Sequence, residues 1–131
     1  MALGQRKVDD AARTRLAEDQ QKADRLPELL REVSEAEERL AEAQRADAGF
    51  EELHRRGVAL DTALTEAMRA AYAKERVLIG ARGYTDGIYR RKRLAAPAVR
   101  HATETAERLL TAREYHRLHG IERLPRNPVV A

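Results

Sequence analysis

Apolar residues recur at alternating steps of three and four between residues 26 and 53, and this periodicity is the clearest pattern in the chain. Seven of the eight positions are apolar, and the eighth is an aspartate. The positions are Leu26, Leu29, Val33, Ala36, Leu40, Ala43, Asp47 and Phe50. Such a stripe lies along one side of a helix and requires a second helix to cover it. The pattern therefore predicts helix association, and we call these positions the heptad stripe.

Two arrangements would cover the heptad stripe. The first helix folds back on other helices of the same chain in a helical bundle, or it pairs with a neighbouring subunit in a coiled coil. Asp47 at a core position would fix the register of such a seam, or it would lie in water at a helix end. The second arrangement predicts a homo-oligomer that associates through the large apolar residues of the stripe, which are Leu26, Leu29, Val33, Leu40 and Phe50.

Caps and breaks divide the chain into three predicted helices. Pro27 is suited to the first turn of a helix, so the first helix should run over about 25–56 and end near Gly57. Glycines at 80–87 should end a second helix of about 61–79, and Gly120 should end a third of about 95–119. Within this division, residues 24–119 are the helical domain. A polar N-terminal arm (1–23) and an extended C-terminal tail (120–131) flank it, the tail containing two prolines. The N-terminal arm is either extended and ordered by a partner, or a frayed helix.

Composition favours an all-α fold of two to three long helices in a bundle or coiled-coil-like hairpin. Alanine, leucine, glutamate and arginine are frequent, and no segment alternates apolar with polar residues as a half-buried strand would. Of 131 residues, 24 are alanine and only 26 are leucine, valine, isoleucine or phenylalanine. Because alanine removes little apolar surface from water, we expect a marginal monomer that a partner stabilises.

The chain contains no cysteine, which excludes disulfides and thiolate metal sites. No run approaches the roughly 18 apolar residues of a membrane span, and the N-terminus has no apolar signal core. We therefore expect no membrane contact, and a location in the cytoplasm or in a particle assembled there.

Charge is unevenly distributed along the chain. Residues 28–52 carry three arginines and nine acidic residues, a net charge of −6, whereas residues 82–100 carry six basic residues and one acidic residue, a net charge of +5. Cations and tyrosines together can neutralise phosphates and stack on bases, so nucleic acid is one predicted partner. The acidic first helix, in the same chain or in a neighbour, is the other. The candidate contact residues are Arg82, Tyr84, Tyr89, Arg90, Arg91, Lys92 and Arg93.

The sequence gives only weak evidence for metal-binding or catalytic residues. His116 and His119 are three residues apart, and Glu51 and His54 form a Glu-x-x-His step, but the second such step of a di-iron site is missing. No Gly-x-Ser-x-Gly, Walker loop or His-Glu-x-x-His occurs. We predict no catalytic residue, no metal and no cofactor, and therefore no enzyme.

These observations favour a non-catalytic helical structural protein that associates with itself or with neighbours in a larger complex. A viral or phage particle is one candidate host, which would make the chain a virion component. The alternative is a small basic nucleic-acid-binding protein that uses the predicted loop over residues 82–93.

Overall fold

The computed structural model describes residues 9–122, and all regular secondary structure in this range is helical. The all-α prediction is confirmed, but five α-helices and one 3-10 helix occur where the sequence predicts two or three helices. The elements are α1 (Asp10–Asp24), α2 (Leu26–Arg45), α3 (Phe50–Ile79), the 3-10 helix (Ala81–Tyr84), α4 (Gly87–Arg93) and α5 (Pro97–His119).

Residues 10–24 form α1, so the prediction of an extended N-terminal arm is wrong for this segment. Asp9 caps the helix, and its side chain accepts a hydrogen bond from the backbone nitrogen of Ala12 at 2.7 Å. α1 does not continue into α2, because Pro27 lacks the N–H group that a continuous helix would use. Residues 1–8 of the predicted arm lie outside the described range.

A turn over residues 46–49 separates α2 from α3, so the predicted helix over 25–56 is divided in two. The prediction that the second helix begins at about residue 61 is wrong, because α3 begins at Phe50. Asp47 adopts a left-handed φ of 52° in this turn and is exposed, so it lies in water beyond the end of α2, the second of the two predicted alternatives, and not in a core. α3 then continues through Gly57, where the sequence predicts a helix end. Gly57 is buried, and a Cβ atom there would lie only 3.4 Å from the Cα atom of Ile121.

The ends of the two later helices agree with the sequence prediction. α3 ends at Ile79, where Gly80 takes a φ of 100° that side chains with a Cβ atom rarely adopt. α5 covers Pro97–His119, close to the predicted 95–119. Of the predicted C-terminal tail, residues 123–131 lie outside the described residues.

α3 is the central helix, and α1, α2 and α5 each pack along it. The heptad stripe of α2 faces α3, and its six positions from Leu26 to Ala43 are buried. One apolar cluster joins this stripe to the alanine-rich side of α3 and to Ala106 of α5. Packing within the chain therefore covers the stripe on α2.

Candidate functional site

The basic segment folds into the 3-10 helix and α4, so the prediction of a loop over residues 82–93 is wrong for most of this segment. Both elements lie beyond the C-terminal end of α3. Gly80 turns the chain, and the Asp86 side chain caps α4 by accepting a hydrogen bond from the backbone nitrogen of Tyr89 at 3.0 Å. At the other end of α4, Arg93 donates a hydrogen bond from Nη2 to the carbonyl oxygen of Leu78 at 2.9 Å. These contacts attach α4 to the end of α3.

Four exposed cations in this region have no carboxylate oxygen within 4.0 Å in the part of the chain that the structure describes. They are Arg90, Arg91, Lys92 and Arg100. A fifth exposed cation, Arg82, pairs with Asp86 at 3.2 Å, and its guanidinium carbon lies 4.6 Å from the centre of the Tyr89 ring. We call these five cations the basic surface.

The acidic residues of α2 do not neutralise the basic surface. The glutamates of α2 that form ion pairs do so with arginines close to them in sequence. These pairs are Arg25 with Glu28, Arg39 with Glu35, and Arg45 with Glu38. Within residues 9–122, no ion pair joins α2 to α4. Ion pairing between the basic segment and α2 of the same chain, one of the predicted explanations, therefore does not account for the basic segment.

Tyr84 and Tyr89 are half-buried, and an arginine already lies over each ring. The guanidinium carbon of Arg15 is 4.9 Å from the centre of the Tyr84 ring, and Arg82 lies over Tyr89. The Tyr84 hydroxyl donates a hydrogen bond to the carboxylate of Asp19. Burial and this hydrogen bond raise the pKa of Tyr84 to about 12. Base stacking on the covered face of either ring would require an intrachain contact to break.

Asp19 is a buried acidic residue between α1 and α3 that was not among the predicted site residues. Arg76 donates two hydrogen bonds to its carboxylate, at 2.8 and 3.1 Å. Burial acts to raise the pKa of Asp19, but the hydrogen bonds from Arg76 and Tyr84 outweigh it and hold this pKa below its usual value. A signal does exist in the sequence, because Ala12, Asp19 and Ala23 recur at helical spacing and share the buried side of α1.

The seven predicted contact residues differ in their contacts. Arg90, Arg91 and Lys92 are exposed and have no carboxylate partner among residues 9–122. Arg82 is also exposed, but it pairs with Asp86 and lies over the Tyr89 ring. Tyr84 and Arg93 form hydrogen bonds within the chain. The sequence prediction also omitted Arg15 and Arg76, which α1 and α3 bring to the same end of the molecule.

The residues predicted to mediate self-association are largely covered within the chain. Leu26, Leu29, Val33 and Leu40 are each at most 8% exposed. Phe50 begins α3, is half-buried and stacks on His54 with the ring centroids 6.0 Å apart. Because α3 already covers the stripe on α2, self-association through these residues stays a prediction that would need the helices to separate.

The histidine pairs of the sequence do not converge on a common point. His116 is buried, with Nε2 2.7 Å from a carbonyl oxygen of α3, whereas His119 is exposed and its ring lies 4.8 Å from that of Tyr115. His54 contacts the carbonyl oxygen of Glu122. Between residues 9 and 122, no three or more His, Cys, Asp or Glu side chains are grouped so that they could hold a metal ion.

No protein-family model matches the sequence, and comparisons with curated proteins and with solved structures find no similar chain. None of the helices in the described range combines the length and apolar character needed to cross a membrane. The basic surface is therefore the feature from which a function is best inferred.

Proposed function

We propose that this protein is a non-catalytic structural subunit in which the basic surface of one copy binds the acidic α2 of the next. The observation that supports this proposal is that the two charged regions do not pair within the described chain. α4 lies beyond the C-terminal end of α3, and among residues 9–122 no ion pair joins it to α2. Opposite charges that do not pair within one molecule can pair between two.

The contact would be heterologous, because two different surfaces of the subunit meet, and such contacts form rings or open chains. A subunit of this kind suits a large assembly. A viral or phage particle and a cytoplasmic multiprotein complex are the candidate hosts.

Electrostatics set what this contact can do. One exposed ion pair contributes only about 0–1 kcal/mol, so several cations must act together. Complementary charge also speeds the encounter of the two surfaces and is screened over about 10 Å at 0.1 M salt. Association through the basic surface should therefore weaken as salt rises, whereas association through an apolar seam should not.

Sedimentation velocity at about 0.01 M and about 1 M NaCl, where the screening length falls from about 30 Å to about 3 Å, tests the proposal. We expect oligomers at low salt that dissociate at high salt. The triple variant Arg90→Gln, Arg91→Gln, Lys92→Gln should be monomeric in both buffers, because it removes three cations of the basic surface.

A matched control is the triple variant Arg55→Gln, Arg69→Gln, Arg108→Gln. It lowers the net charge by the same amount at exposed residues outside the basic surface, and it should associate like the parent chain. A parent chain that is monomeric at low salt would contradict the proposal. Equal loss of association in both variants would show that net charge, and not the basic surface, is responsible.

A second candidate function is binding of nucleic acid through the same surface. The observation that favours it is the run Arg90, Arg91 and Lys92, which is exposed and has no carboxylate partner among residues 9–122. Fluorescence anisotropy with labelled DNA and RNA should then show affinity that falls steeply with salt. The triple variant at these residues should reduce the slope of log K against log salt by about 2–3. No binding at low salt would end this alternative.

A further inference from the structure

A cavity of about 230 Å³ lies where α1, α3, the 3-10 helix and α4 meet. Its lining includes Arg15, Arg76, Arg90, Tyr84, Gly80 and Gly83. The cavity is distinct from the basic surface, since only Arg90 belongs to both. Its three arginines come from three different helices, so the tertiary fold brings them together.

The positive charge of this cavity is not balanced within the described chain. The Asp19 carboxylate is already engaged by two of the lining residues. Arg76 donates hydrogen bonds to both of its oxygens, at 2.8 and 3.1 Å, and the Tyr84 hydroxyl donates to one of them. Arg15 and Arg90 have no carboxylate oxygen within 4.0 Å among residues 9–122. Among residues 9–122, two of the three arginines therefore have no carboxylate partner that would compete with a bound anion.

We propose that this cavity binds the phosphoryl group of a small phosphorylated molecule or of free phosphate. Guanidinium groups present planar pairs of N–H donors that match phosphate oxygens, and such charge-assisted hydrogen bonds are stronger than neutral ones. Arg76 is held by Asp19, and Arg15 lies 4.9 Å from the centre of the Tyr84 ring. Both side chains are thus oriented before the ligand arrives, which lowers the entropy lost on binding, and Arg76 offers the N–H groups that Asp19 leaves unused.

The dimensions of the cavity suit this ligand class. At about 30 Å³ per water molecule, it has room for roughly seven waters, which exceeds the five heavy atoms of a phosphate ion and leaves space for part of an ester substituent. Gly83 is needed for this shape, because a Cβ atom there would overlap the side chain of Ile79 and displace the 3-10 helix from the end of α3.

Isothermal titration calorimetry with inorganic phosphate and with glycerol phosphate tests the proposal in a chloride buffer of about 0.15 M, where distant charges are screened. We expect saturable binding at one site. Arg15→Gln and Arg90→Gln should each weaken it about tenfold or more, as loss of one charge-assisted hydrogen bond does. Arg91→Gln is the matched control, because Arg91 follows Arg90 on α4 but does not line the cavity. It should change the affinity less than about twofold.

The two ligands distinguish the source of the phosphoryl group. Tighter binding of glycerol phosphate indicates a phosphomonoester, and binding of inorganic phosphate alone indicates the free ion. No saturable binding of either ligand would overturn the proposal, and so would equal weakening in all three variants, which is the result of diffuse attraction. Circular dichroism checks that each variant is folded. Arg15 lies outside the basic surface, so the effect of Arg15→Gln on phosphate binding does not depend on the proposed assembly role.

Discussion

At the residue scale, Asp19 is the charge on which the contact between α1 and α3 most depends. Removing one partner of a buried ion pair costs about 3–5 kcal/mol, but the Arg76 side chain is 38% exposed and water recovers part of this. We therefore expect Asp19→Asn to lower the free energy of unfolding by about 2 kcal/mol. Urea unfolding followed by circular dichroism at neutral pH measures this change.

Glu18→Gln is the matched control for that experiment. Glu18 precedes Asp19 on α1, is exposed and pairs with no cation within 4.0 Å in the described residues. Its substitution should change the free energy of unfolding by less than about 0.5 kcal/mol. Equal effects of the two substitutions would mean that the pair with Arg76 contributes nothing beyond a surface charge.

The lowered pKa of Asp19 also predicts a pH dependence. An aspartate whose pKa is lower in the folded than in the unfolded chain stabilises the fold above its unfolded pKa of about 3.9, and this contribution is lost as the pH falls through the folded value. The hydrogen bond from Arg117, which outweighs burial, lowers the pKa of Asp61 in the same direction. We expect the thermal midpoint to fall below about pH 4, and to fall less steeply in Asp19→Asn. Identical acid profiles for variant and parent would contradict this assignment.

At the element scale, the turn between α2 and α3 depends on Asp47, whose φ of 52° is unfavourable for most side chains. Asp and Asn tolerate this conformation better than β-branched residues do. We expect Asp47→Val to lower the free energy of unfolding by about 1–2 kcal/mol, and Asp47→Gly to leave it equal or higher. Thermal unfolding of the two variants checks this, and a tolerated valine would show that the turn can adopt another backbone conformation.

The same turn shows what periodicity can and cannot predict. The stripe correctly indicates the buried side of α2, because large apolar residues at steps of three and four have few other uses. It continues by coincidence to Asp47 and Phe50, which lie in the turn and at the start of α3. α3 passes through Gly57, which is buried beside Ile121, 64 residues away, and no local pattern reports such a contact.

The sequence pattern does not predict α1 or α4, and the reason differs between the two helices. α1 was predicted as an arm because its buried side consists of alanines and Asp19, which carry little hydrophobic signal. α4 was predicted as a loop because Gly80, Gly83 and Gly87 mark a break, although the chain between them still forms helical turns. Glycine therefore located the end of α3 correctly, but it did not exclude short helices after it.

At the scale of the whole molecule, the sequence located the basic cluster but not its surroundings. A run of cations is visible in any sequence, so Arg90, Arg91 and Lys92 could be selected directly. Arg15 and Arg76 could not, because their place near α4 follows from how α1 packs on α3. Composition was also a poor guide to packing, since alanines such as Ala67 are completely buried at the helix contacts.

Coverage of the stripe within one chain leads to a prediction that separates folding from association. At about 1 M NaCl, where ion pairs are screened, the thermal midpoint should not change over about a hundredfold range of protein concentration. Leu40→Asp should unfold the chain at every concentration, because it places a charge against α3. Ser34→Asp adds the same charge at an exposed position of α2 and should remain folded. A thermal midpoint that rises with protein concentration, or a folded monomeric Leu40→Asp chain, would instead indicate that the stripe lies at an interface between subunits.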